Sequence, residues 1–388
     1  MTSIASPEIS PNVAEDSTTT IRLPVVSHGV ENKGVLSFTL ENTNVSIANA
    51  LRRVLLSDIE AVVFDTDNDK INVFENTTRF HNEILKQRLG CIPIHIKDID
   101  SIENLIIELN INNESDSIQY VTSKDFTIKD ITTDKYLTTE QTKSIFPPNN
   151  ITKEYVLFTR LRPKISNDIL GETISLKVKL KTATAKQDGM YNVVSTCAFG
   201  NTEDKVEQHN QWQSISEDLE SKGLNGDRIE YERKNWYTLQ AKRHFIQDSF
   251  DFKVESVGVY ANVELINMGC DNIIKRLDKI KEKCDKEQLK LNKKATAMEN
   301  AVDVILQGED YTIGKVIEFV LHEQYYKKDQ ALSYVGFIKK HPHDDYSIIR
   351  MAFSSEGDTS LTDVNVYSMV KFSCDVGIKL FANIKEYF

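Results

Sequence analysis

Apolar residues recur at helical spacing in the first hundred positions of the chain. They form one face, at Ile47, Ala50, Leu51, Val54 and Leu55. Ser46 is a suitable N-cap, because its hydroxyl can accept a hydrogen bond from an amide of the first turn. The pattern therefore predicts an amphipathic helix over Ser46–Asp58.

Two short apolar runs follow that helix. Ala61–Phe64 and Ile71–Phe74 flank a polar turn, which predicts a β-hairpin. A second helix is predicted to begin at Asn76 or Thr77. It ends in the sequence Leu-Gly-Cys-Ile-Pro at residues 89–93, where Gly suits a C-cap and Pro prevents continuation.

Period-two alternation predicts strands elsewhere, at Ile21–Val26, Gly34–Leu40, Leu105–Leu109, Tyr155–Leu161, Ile174–Leu180 and Phe250–Met268. The clearest is Ile174–Leu180, with sequence ISLKVKL, which places its lysines on the wet face. A helical stripe comes next, at Ile273, Ile274, Leu277, Ile280 and Cys284. Lys286–Met298 loses the stripe and is rich in lysine, which suits a linker or a fraying helix end.

The last ninety residues predict a further unit. Strands are predicted at Val302–Leu306, Ser333–Ile338 and Ile348–Phe353, and a helix begins at Thr312, with Thr as its N-cap. The apolar face of that helix is Ile313, Val316, Ile317, Val320 and Leu321. The final helix, Asp363–Phe388, has a nearly heptad stripe of Val364, Tyr367, Val370, Cys374, Ile378, Phe381, Ile384 and Phe388. Such a stripe predicts packing along another helix.

Composition narrows the class of protein. The 388 residues are 40% hydrophobic, which is enough for two or three domains with real cores. Residues 1–20 are rich in Ser, Thr, Pro and acids and lack a signal-peptide core, so we expect a disordered tail. No apolar run approaches the roughly 20 residues of a membrane span. A net charge of -11 argues against broad nucleic-acid binding.

Candidate chemistry is sparse. The five cysteines form no CxxC pair, which fits a reducing compartment. No Walker loop, GxGxxG, HExxH or GxSxG context occurs. The aspartates of 65–69 have the DxDxD spacing of a magnesium site, but they lie between two strand signals, where a solvated turn is the better interpretation. His341 and His343 precede two aspartates, and we interpret them as a surface turn rather than a metal site.

Two blocks of the first hundred residues have a specific wording. They are Asn49–Leu55 (NALRRVL), and then Asn76–Thr78 (NTT), Glu83, Arg88–Gly90 (RLG) and Ile92–Pro93. Together they resemble the signature of the assembly subunits of multisubunit RNA polymerases. These assembly subunits are the bacterial alpha subunit, its archaeal D-type counterpart and the third-largest subunit of polymerase II.

Two later stretches resemble the same family. Residues 181–200 keep Ala185, Lys186 and Tyr191 of a loop that reaches the largest subunit in relatives, although an ordinary surface loop is nearly as good an interpretation. Asp188 and Val193 replace the His and Pro of the family loop. The run 252–258, FKVESVG, resembles the element that returns the chain to the first domain.

The C-terminal unit resembles the archaeal L-type polymerase protein and the eleventh-numbered subunit of polymerase II. The matching positions are Glu309–Val316, Gly336–Phe337, His341–Pro342 and Ile348–Met351. Tyr311 and Lys340 depart from that pattern. Two partners that cellular organisms encode separately therefore lie on one chain. Such fusions look like those of large DNA viruses that transcribe in the host cytoplasm, and a tether raises the effective concentration of the pair to the millimolar range.

The resemblance implies an α+β fold in which two alpha-subunit-like dimerisation domains, built of antiparallel strands and long helices, pair within one chain. The first comprises 21–93 and 243–290 and is interrupted by an inserted mostly-β domain, 94–242. A linker, 291–300, leads to the second, 301–388. Many relatives carry a cysteine cluster for zinc or iron–sulfur in the insert. Only Cys91 and Cys197 lie between 91 and 242 here, so we expect no metal.

The implied function is that of a non-catalytic assembly platform of a DNA-directed RNA polymerase, a nucleotidyltransferase complex. The residues expected to dock the large subunits are Asn49, Arg52, Arg53, Glu83, Arg88, Lys186 and Tyr191. Arg52 and Arg53 could instead form a solvated helix face, but the motif favours one of them on the second-largest subunit. The residues expected to pair the two domains are Leu51, Val54, Leu55, Ile313, Val316, Ile317, Val320, Leu321, Tyr367, Val370, Ile378 and Phe381. The pairing is expected between antiparallel helices, Ser46–Asp58 against Thr312–Gln324.

The implied partners are the largest and second-largest polymerase subunits and a small zinc-binding subunit of the tenth-numbered type. No homodimer and no membrane contact are expected, and DNA is contacted only through the complex. Catalytic magnesium and structural zinc belong to the partners, and this chain needs no cofactor. A viral chain would occur in the virion and host cytoplasm, and a cellular one in the nucleus. The alternatives are a free-standing regulatory or DNA-binding protein with the same fold, and an independent enzyme.

Overall fold

The computed structural model describes residues 21–67, 70–99, 102–166, 169–293, 298–354 and 361–388. The predicted tail, 1–20, lies outside the described residues, as do positions 294–297 of the predicted linker. The chain is an α+β protein with antiparallel sheets. Within the described ranges, no helix combines the length and apolar character that crossing a bilayer requires.

The strands, in chain order, are β1 (Val25–Asn32), β2 (Val35–Glu41), β3 (Glu60–Phe64), β4 (Ile71–Asn76), β5 (Leu105–Asn112), β6 (Gln119–Thr122), β7 (Thr127–Asp130), β8 (Lys135–Tyr136), β9 (Leu157–Leu161), β10 (Thr173–Thr184), β11 (Val194–Glu203), β12 (Phe245–Ser256), β13 (Lys290–Asn292), β14 (Ala301–Gln307), β15 (Leu332–Ile338) and β16 (Tyr346–Phe353). The helices are α1 (Val45–Ser57), α2 (Asn82–Gly90), α3 (Thr139–Ile145), α4 (Lys205–Ser221), α5 (Gly226–Thr238), α6 (Asn262–Asp285), α7 (Tyr311–Leu321) and α8 (Asp363–Lys385). A π-helix, His322–Lys328, continues α7.

The chain divides into two compact units. Unit 1 comprises Met1–Val54, of which residues 21 onward are described, together with Thr196–Glu255 and Ile266–Phe388. Unit 2 comprises Leu55–Ser195 and Ser256–Leu265. Both units are therefore discontinuous in sequence.

Unit 2 is built on the long strand β10. One edge of β10 pairs with β5, and the other edge pairs first with β4 and then with β3. The predicted hairpin of Ala61–Phe64 with Ile71–Phe74 is therefore wrong. The two strands lie end to end along β10 because its 12 residues are long enough to pair with both.

The alternation of β10 appears as predicted. Ile174, Leu176 and Val178 are buried in the core of unit 2, whereas Lys177 and Lys179 are exposed. The core also contains a cluster of phenylalanines, Phe64, Phe126, Phe146 and Phe158, whose rings pack against one another. The apolar residues of the predicted strands thus form one continuous core within this unit.

Unit 1 contains two four-stranded antiparallel sheets, ordered β1-β2-β12-β11 and β13-β14-β16-β15. Each sheet contains the same sequence of elements. In the first repeat, β2 leads into α1, and its neighbour β12 leads into α6; in the second repeat, β14 leads into α7, and its neighbour β16 leads into α8. Unit 1 thus holds one strand–helix–strand–helix layout twice.

Three predicted helix boundaries change. The cap of α1 is Asn44 rather than Ser46, because Asn44 Oδ1 accepts the Ser46 N–H at 2.8 Å. The cap of α7 is Asp310 rather than Thr312, since its carboxylate accepts the Thr312 N–H at 2.9 Å. The second helix begins only at Asn82, because the Asn76 side chain bonds both ends of the preceding loop.

Two other segments also differ from prediction. The last residues of the predicted strand Phe250–Met268 belong to α6, which begins at Asn262. Residues 205–238, in the predicted mostly-β insert, form the helices α4 and α5. Trp212 of α4 is buried, and its ring lies beside that of Tyr237 on α5. The strand β13 overlaps the start of the predicted linker and pairs with β14.

Candidate subunit-pairing site

The long helices α6 and α8 of unit 1 lie antiparallel. Three ion pairs join them: Asp271 with Lys385 at 2.7 Å, Lys281 with Asp375, and Asp285 with Lys371. From one pair to the next, the residue number rises on α6 and falls on α8 by the same amount, which is the pattern of two antiparallel helices. These side chains are each roughly 30–50% exposed, so the pairs fix the register of the two helices more than they add stability.

Apolar contacts accompany these ion pairs. Gly377 of α8 lies so close to the neighbouring helices that an added Cβ would be 2.9 Å from Leu277 Cδ1 and 3.3 Å from Val316 Cγ1. Leu277 belongs to α6 and Val316 to α7, and both are fully buried. A small residue at position 377 therefore lets the three helices pack together.

Most of the apolar residues predicted to pair the two domains are buried, namely Leu51, Val54, Leu55, Ile313, Val316, Ile317, Val320, Leu321, Val370 and Phe381. Tyr367 and Ile378 are half-buried, and the Tyr367 hydroxyl donates to the Leu289 carbonyl at 3.1 Å. Val364, the first residue of the predicted stripe, is 63% exposed. Their role in pairing stays a prediction.

Arg53 joins α1 to the N-terminus of α7. Its Nε donates to Thr312 Oγ1 at 2.9 Å, and a terminal nitrogen donates to Asp310 Oδ2 at 3.0 Å. Asp310 also caps α7, so one carboxylate serves both the helix and the contact. The guanidinium predicted to dock a large subunit thus has partners inside this chain.

A second arginine reaches the same turn from α6. Arg276 Nε donates to Glu309 Oε2 at 3.1 Å, and only about 15% of either side chain is exposed. Sequence reasoning missed Arg276 because a charged residue beside an apolar stripe resembles a solvent-facing position. The signal available was the pair of acids that immediately precedes the apolar helix α7. We call Arg53, Arg276, Glu309, Asp310 and Thr312 the arginine network.

Two other predicted docking residues, Asn49 and Arg52, contact each other on α1. The Asn49 side-chain oxygen accepts from Arg52 Nε at 3.1 Å and from a terminal nitrogen at 2.9 Å. Arg52 also lies near Cys197, although burial outweighs the arginine and raises the pKa of that thiol to about 12. Both docking residues are half-buried.

The predicted docking residues of unit 2 have different surroundings. Glu83 is exposed and pairs with Lys86 at 3.2 Å. Arg88 donates to the carbonyls of Phe158 at 2.6 Å and Leu157 at 2.9 Å, which ties α2 to β9. The fork of the guanidinium is therefore used inside the unit.

Lys186 and Tyr191 complete the predicted docking set. The side chain of Lys186 is exposed, whereas Tyr191 is only 6% exposed. The ammonium of Lys181 lies 6.0 Å from the centre of the Tyr191 ring. Of this loop, the lysine offers a surface group, and the tyrosine is a packing residue.

Two stretches of the sequence have the residue types of a metal site, the aspartates of 65–69 and the pair His341 and His343. The described residues of these stretches are not arranged as metal ligands. Asp67 pairs with Lys181 at 2.9 Å, and that ammonium lowers the pKa of the carboxyl; positions 68–69 lie outside the described residues. His341 Nδ1 accepts the His343 N–H at 3.1 Å within a surface turn. Across the described ranges, no group of three or more His, Cys, Asp or Glu side chains could hold a metal ion.

The chain is thus an α+β protein with a doubled strand–helix layout and antiparallel long helices. Residues 37–277 match the family described as the RNA polymerase Rpb3/Rpb11 dimerisation domain, and the chain belongs to that family. This match begins within β2 and ends within α6, so it covers most of the first repeat and the segment between its two parts.

Individual relatives agree with the family. The Schizosaccharomyces pombe DNA-directed RNA polymerase II subunit RPB3 is 26% identical over 264 residues, which cover 66% of this chain and 86% of the yeast protein. A conjugation stage-specific protein of Tetrahymena thermophila is 24% identical over 289 residues, which cover 63% of this chain and 90% of the Tetrahymena protein. The human DNA-directed RNA polymerases I and III subunit RPAC1 is 40% identical over 70 residues, 18% of each chain. The chain is a homologue of RNA polymerase subunits.

Proposed function

We propose that this protein is a non-catalytic assembly subunit of a DNA-directed RNA polymerase that carries two pairing domains on one chain. The observation that carries the proposal is the antiparallel pairing of α6 with α8, fixed by the ion pairs from Asp271–Lys385 to Asp285–Lys371. It joins the repeat that matches the family to a second repeat with the same layout.

The first repeat corresponds to the third-largest polymerase II subunit and the second repeat to the eleventh-numbered one. Support for the second assignment comes from the Glu309–Asp310 turn, which the sequence shares with that subunit and which contacts both α1 and α6. Ile313, Val316 and Ile317 on the following helix are fully buried. An obligate pair of domains commonly buries such apolar faces.

The assembled pair is proposed to receive the largest and second-largest subunits. Among the predicted docking residues, Arg52, Glu83 and Lys186 present charged groups at least partly to solvent, whereas Arg88 and Tyr191 are engaged within unit 2. Arg52 is the better docking candidate of the arginine pair, because Arg53 is bonded to α7. Partly desolvated guanidinium contacts are common at subunit interfaces.

The remaining assignments follow the same proposal. A small zinc-binding subunit of the tenth-numbered type is proposed to lie beside this chain, with magnesium and zinc in the partners and no cofactor here. The fused form suggests a viral protein of the virion and host cytoplasm, and a cellular form would be nuclear. The alternative of a regulatory DNA-binding protein lacks support, because the net charge of -11 disfavours contact with phosphates.

Affinity purification of the tagged full chain from its native cells tests the function. We expect the two large polymerase subunits to co-purify in equal amounts, identified by mass spectrometry. Recovery of the chain without them would overturn the proposal.

The docking assignment is tested in the same assay with Arg52→Glu. We expect a loss of the second-largest subunit of at least tenfold while the chain stays folded. Lys205→Glu, at an exposed position of α4, is the matched control with the same change of charge. Equal recovery with Arg52→Glu and Lys205→Glu would reject Arg52 as a docking residue without affecting the wild-type result.

A further inference from the structure

The two long helices of unit 1 share an internal sequence repeat. Residues 270–282 read CDNIIKRLDKIKE and residues 374–386 read CDVGIKLFANIKE, so that seven of the thirteen positions are identical. Asp271 corresponds to Asp375, and Lys281 corresponds to Lys385. These four residues are the ones that form two of the ion pairs between α6 and α8.

The two ion pairs are therefore the same pair made twice. Asp271 of α6 bonds Lys385, and its counterpart Asp375 bonds Lys281, as a local two-fold axis between the helices requires. A contact of this kind is self-complementary. Two copies of α6, or two copies of α8, could form the same bridges, so these pairs do not distinguish unlike from like repeats.

Helices α1 and α7 correspond in the same way. Each is capped by a side chain that accepts the backbone N–H two residues later: Asn44 accepts the N–H of Ser46, and Asp310 accepts the N–H of Thr312. Aligning these caps makes Glu309 the counterpart of Thr43. It makes Arg53 the counterpart of Phe319.

The arginine network breaks this symmetry. On one side of the two-fold axis, Arg53 and Arg276 form ion pairs with Asp310 and Glu309. On the other side of the axis, the counterparts of these four residues are Phe319, Leu380, Thr43 and Asn44. These four residues line one open cavity of about 270 Å³. Equivalent positions thus form two ion pairs on one side of the axis and line a cavity on the other.

We propose that the arginine network is the specificity determinant that makes the first repeat pair with the second and prevents either repeat from pairing with itself. Two first repeats would place Arg53 and Arg276 against Thr43 and Asn44, which are uncharged, in a cavity whose other charged residues from the first repeat, Arg22 and Asp248, have formal charges that sum to zero. Two second repeats would place Glu309 and Asp310 against Phe319 and Leu380. Removing one partner of a largely buried pair costs more than the pair contributes, so discrimination comes from the unfavourable like pairings.

The test requires that the tether be removed after folding, since a tethered pair has a millimolar effective concentration. A protease recognition sequence is inserted after Glu287, in the exposed turn between α6 and β13, so that β13 stays with the second repeat whose sheet it joins. The purified full chain is then cut in the folded state. Native mass spectrometry then distinguishes the mixed complex from the two like pairs by mass. For the unsubstituted repeats we expect the mixed complex to dominate after prolonged incubation.

The decisive variant replaces each of the four charged residues of the network by its own counterpart: Arg53→Phe, Arg276→Leu, Glu309→Thr and Asp310→Asn. We expect like pairs to rise at least tenfold relative to the cut wild type. A variant that retains only the mixed complex would overturn the proposal. If the fourfold variant does not fold, Asp310→Asn alone is used, because Asn is an equally good cap. It should raise like pairs severalfold, and no rise would overturn the proposal.

The matched control is Lys281→Ala with Lys385→Ala, which removes both symmetric ion pairs. It weakens like and unlike pairings equally, so the ratio of species should not change. An equal rise of like pairs in this control would contradict the role assigned to the network. The inference rests on the proposed pairing of the two repeats, but the cut-chain ratio is measured without polymerase, so its failure is separable from failure to co-purify.

Discussion

The guanidinium of Arg53 and the carboxylate of Asp310 lie 3.0 Å apart, although 257 positions separate them in the chain. Arg53 is the second arginine of the NALRRVL motif in the first repeat, and Asp310 is the N-cap of α7 in the second. The contact joins two motifs that the sequence presents as independent. Part of what identifies each repeat therefore serves their mutual contact.

Loss of this contact is expected to destabilise unit 1. Arg53→Ala should lower the free energy of unfolding by about 1–2 kcal/mol, because hydrogen bonds to charged groups are worth that much when they are partly exposed. Both tryptophans, Trp212 and Trp236, lie in unit 1, so urea unfolding followed by tryptophan fluorescence reports this unit.

The control is Arg52→Ala, whose bonds to Asn49 stay within α1 and whose loss should be below about 0.5 kcal/mol. A double-mutant cycle with Asp310→Asn should give a coupling of about 1 kcal/mol with Arg53→Ala. Additive effects of Arg53→Ala and Asp310→Asn would show that the two side chains do not stabilise one another.

Gly314 is expected to tolerate no side chain. An added Cβ would lie 1.9 Å from Cε2 of Phe337, inside the aromatic ring contact. Gly314→Ala should therefore destabilise unit 1 by about 1–3 kcal/mol, measured by tryptophan fluorescence in urea. Phe337→Leu should restore part of that loss in the double variant. Gly226→Ala, with open space around its Cβ, is the neutral control, and an equal effect of both alanines would contradict the steric account.

Periodicity is sufficient to predict the elements whose faces are buried on one side. Helix α1, helix α7 and the strand β10 all occur where the apolar spacing places them. Both ends of α1 and the start of α7 lie within one residue of the prediction, whereas α7 ends at Leu321, three residues before the predicted Gln324. Their side chains face a core, and burial follows the geometry of a helix or strand directly. The cap positions lie two residues earlier than predicted, because Asn44 and Asp310 accept the backbone N–H groups of Ser46 and Thr312.

Pairing between distant segments could not be predicted in the same way. Strands β3 and β4 both bond to β10, which lies about a hundred residues later, and no local signal indicates that partner. The contact of Arg276 with Glu309 has the same origin. Charges on a helix are usually solvated, and only the packing of α6 against the turn before α7 makes this one structural.

Arg88 is expected to stabilise unit 2 rather than to act only at a surface. Its guanidinium holds two carbonyls of β9, those of Leu157 and Phe158, so Arg88→Ala should cost about 1.5–3 kcal/mol. Far-UV circular dichroism should show an earlier transition, while tryptophan fluorescence, which reports unit 1, should not change. Glu83→Gln, which loses one exposed pair, should leave both signals in place. Unchanged stability of Arg88→Ala would free that side chain for a docking role.

Alkaline pH is expected to weaken unit 1 through its buried thiols. Burial raises the pKa of Cys270 from 9.0 to about 12, so the folded state keeps the thiol neutral while the unfolded chain ionises it. The stabilising contribution is complete below pH 9 and is lost as the pH rises toward 12. Between pH 8 and pH 10, the free energy of unfolding of Cys270→Ala should therefore fall by about 1 kcal/mol less than that of the wild type. Urea unfolding followed by tryptophan fluorescence measures the difference. Ile273→Val, a buried truncation without a titrating group, should run parallel to wild type at every pH, and a parallel Cys270→Ala curve would contradict the assignment.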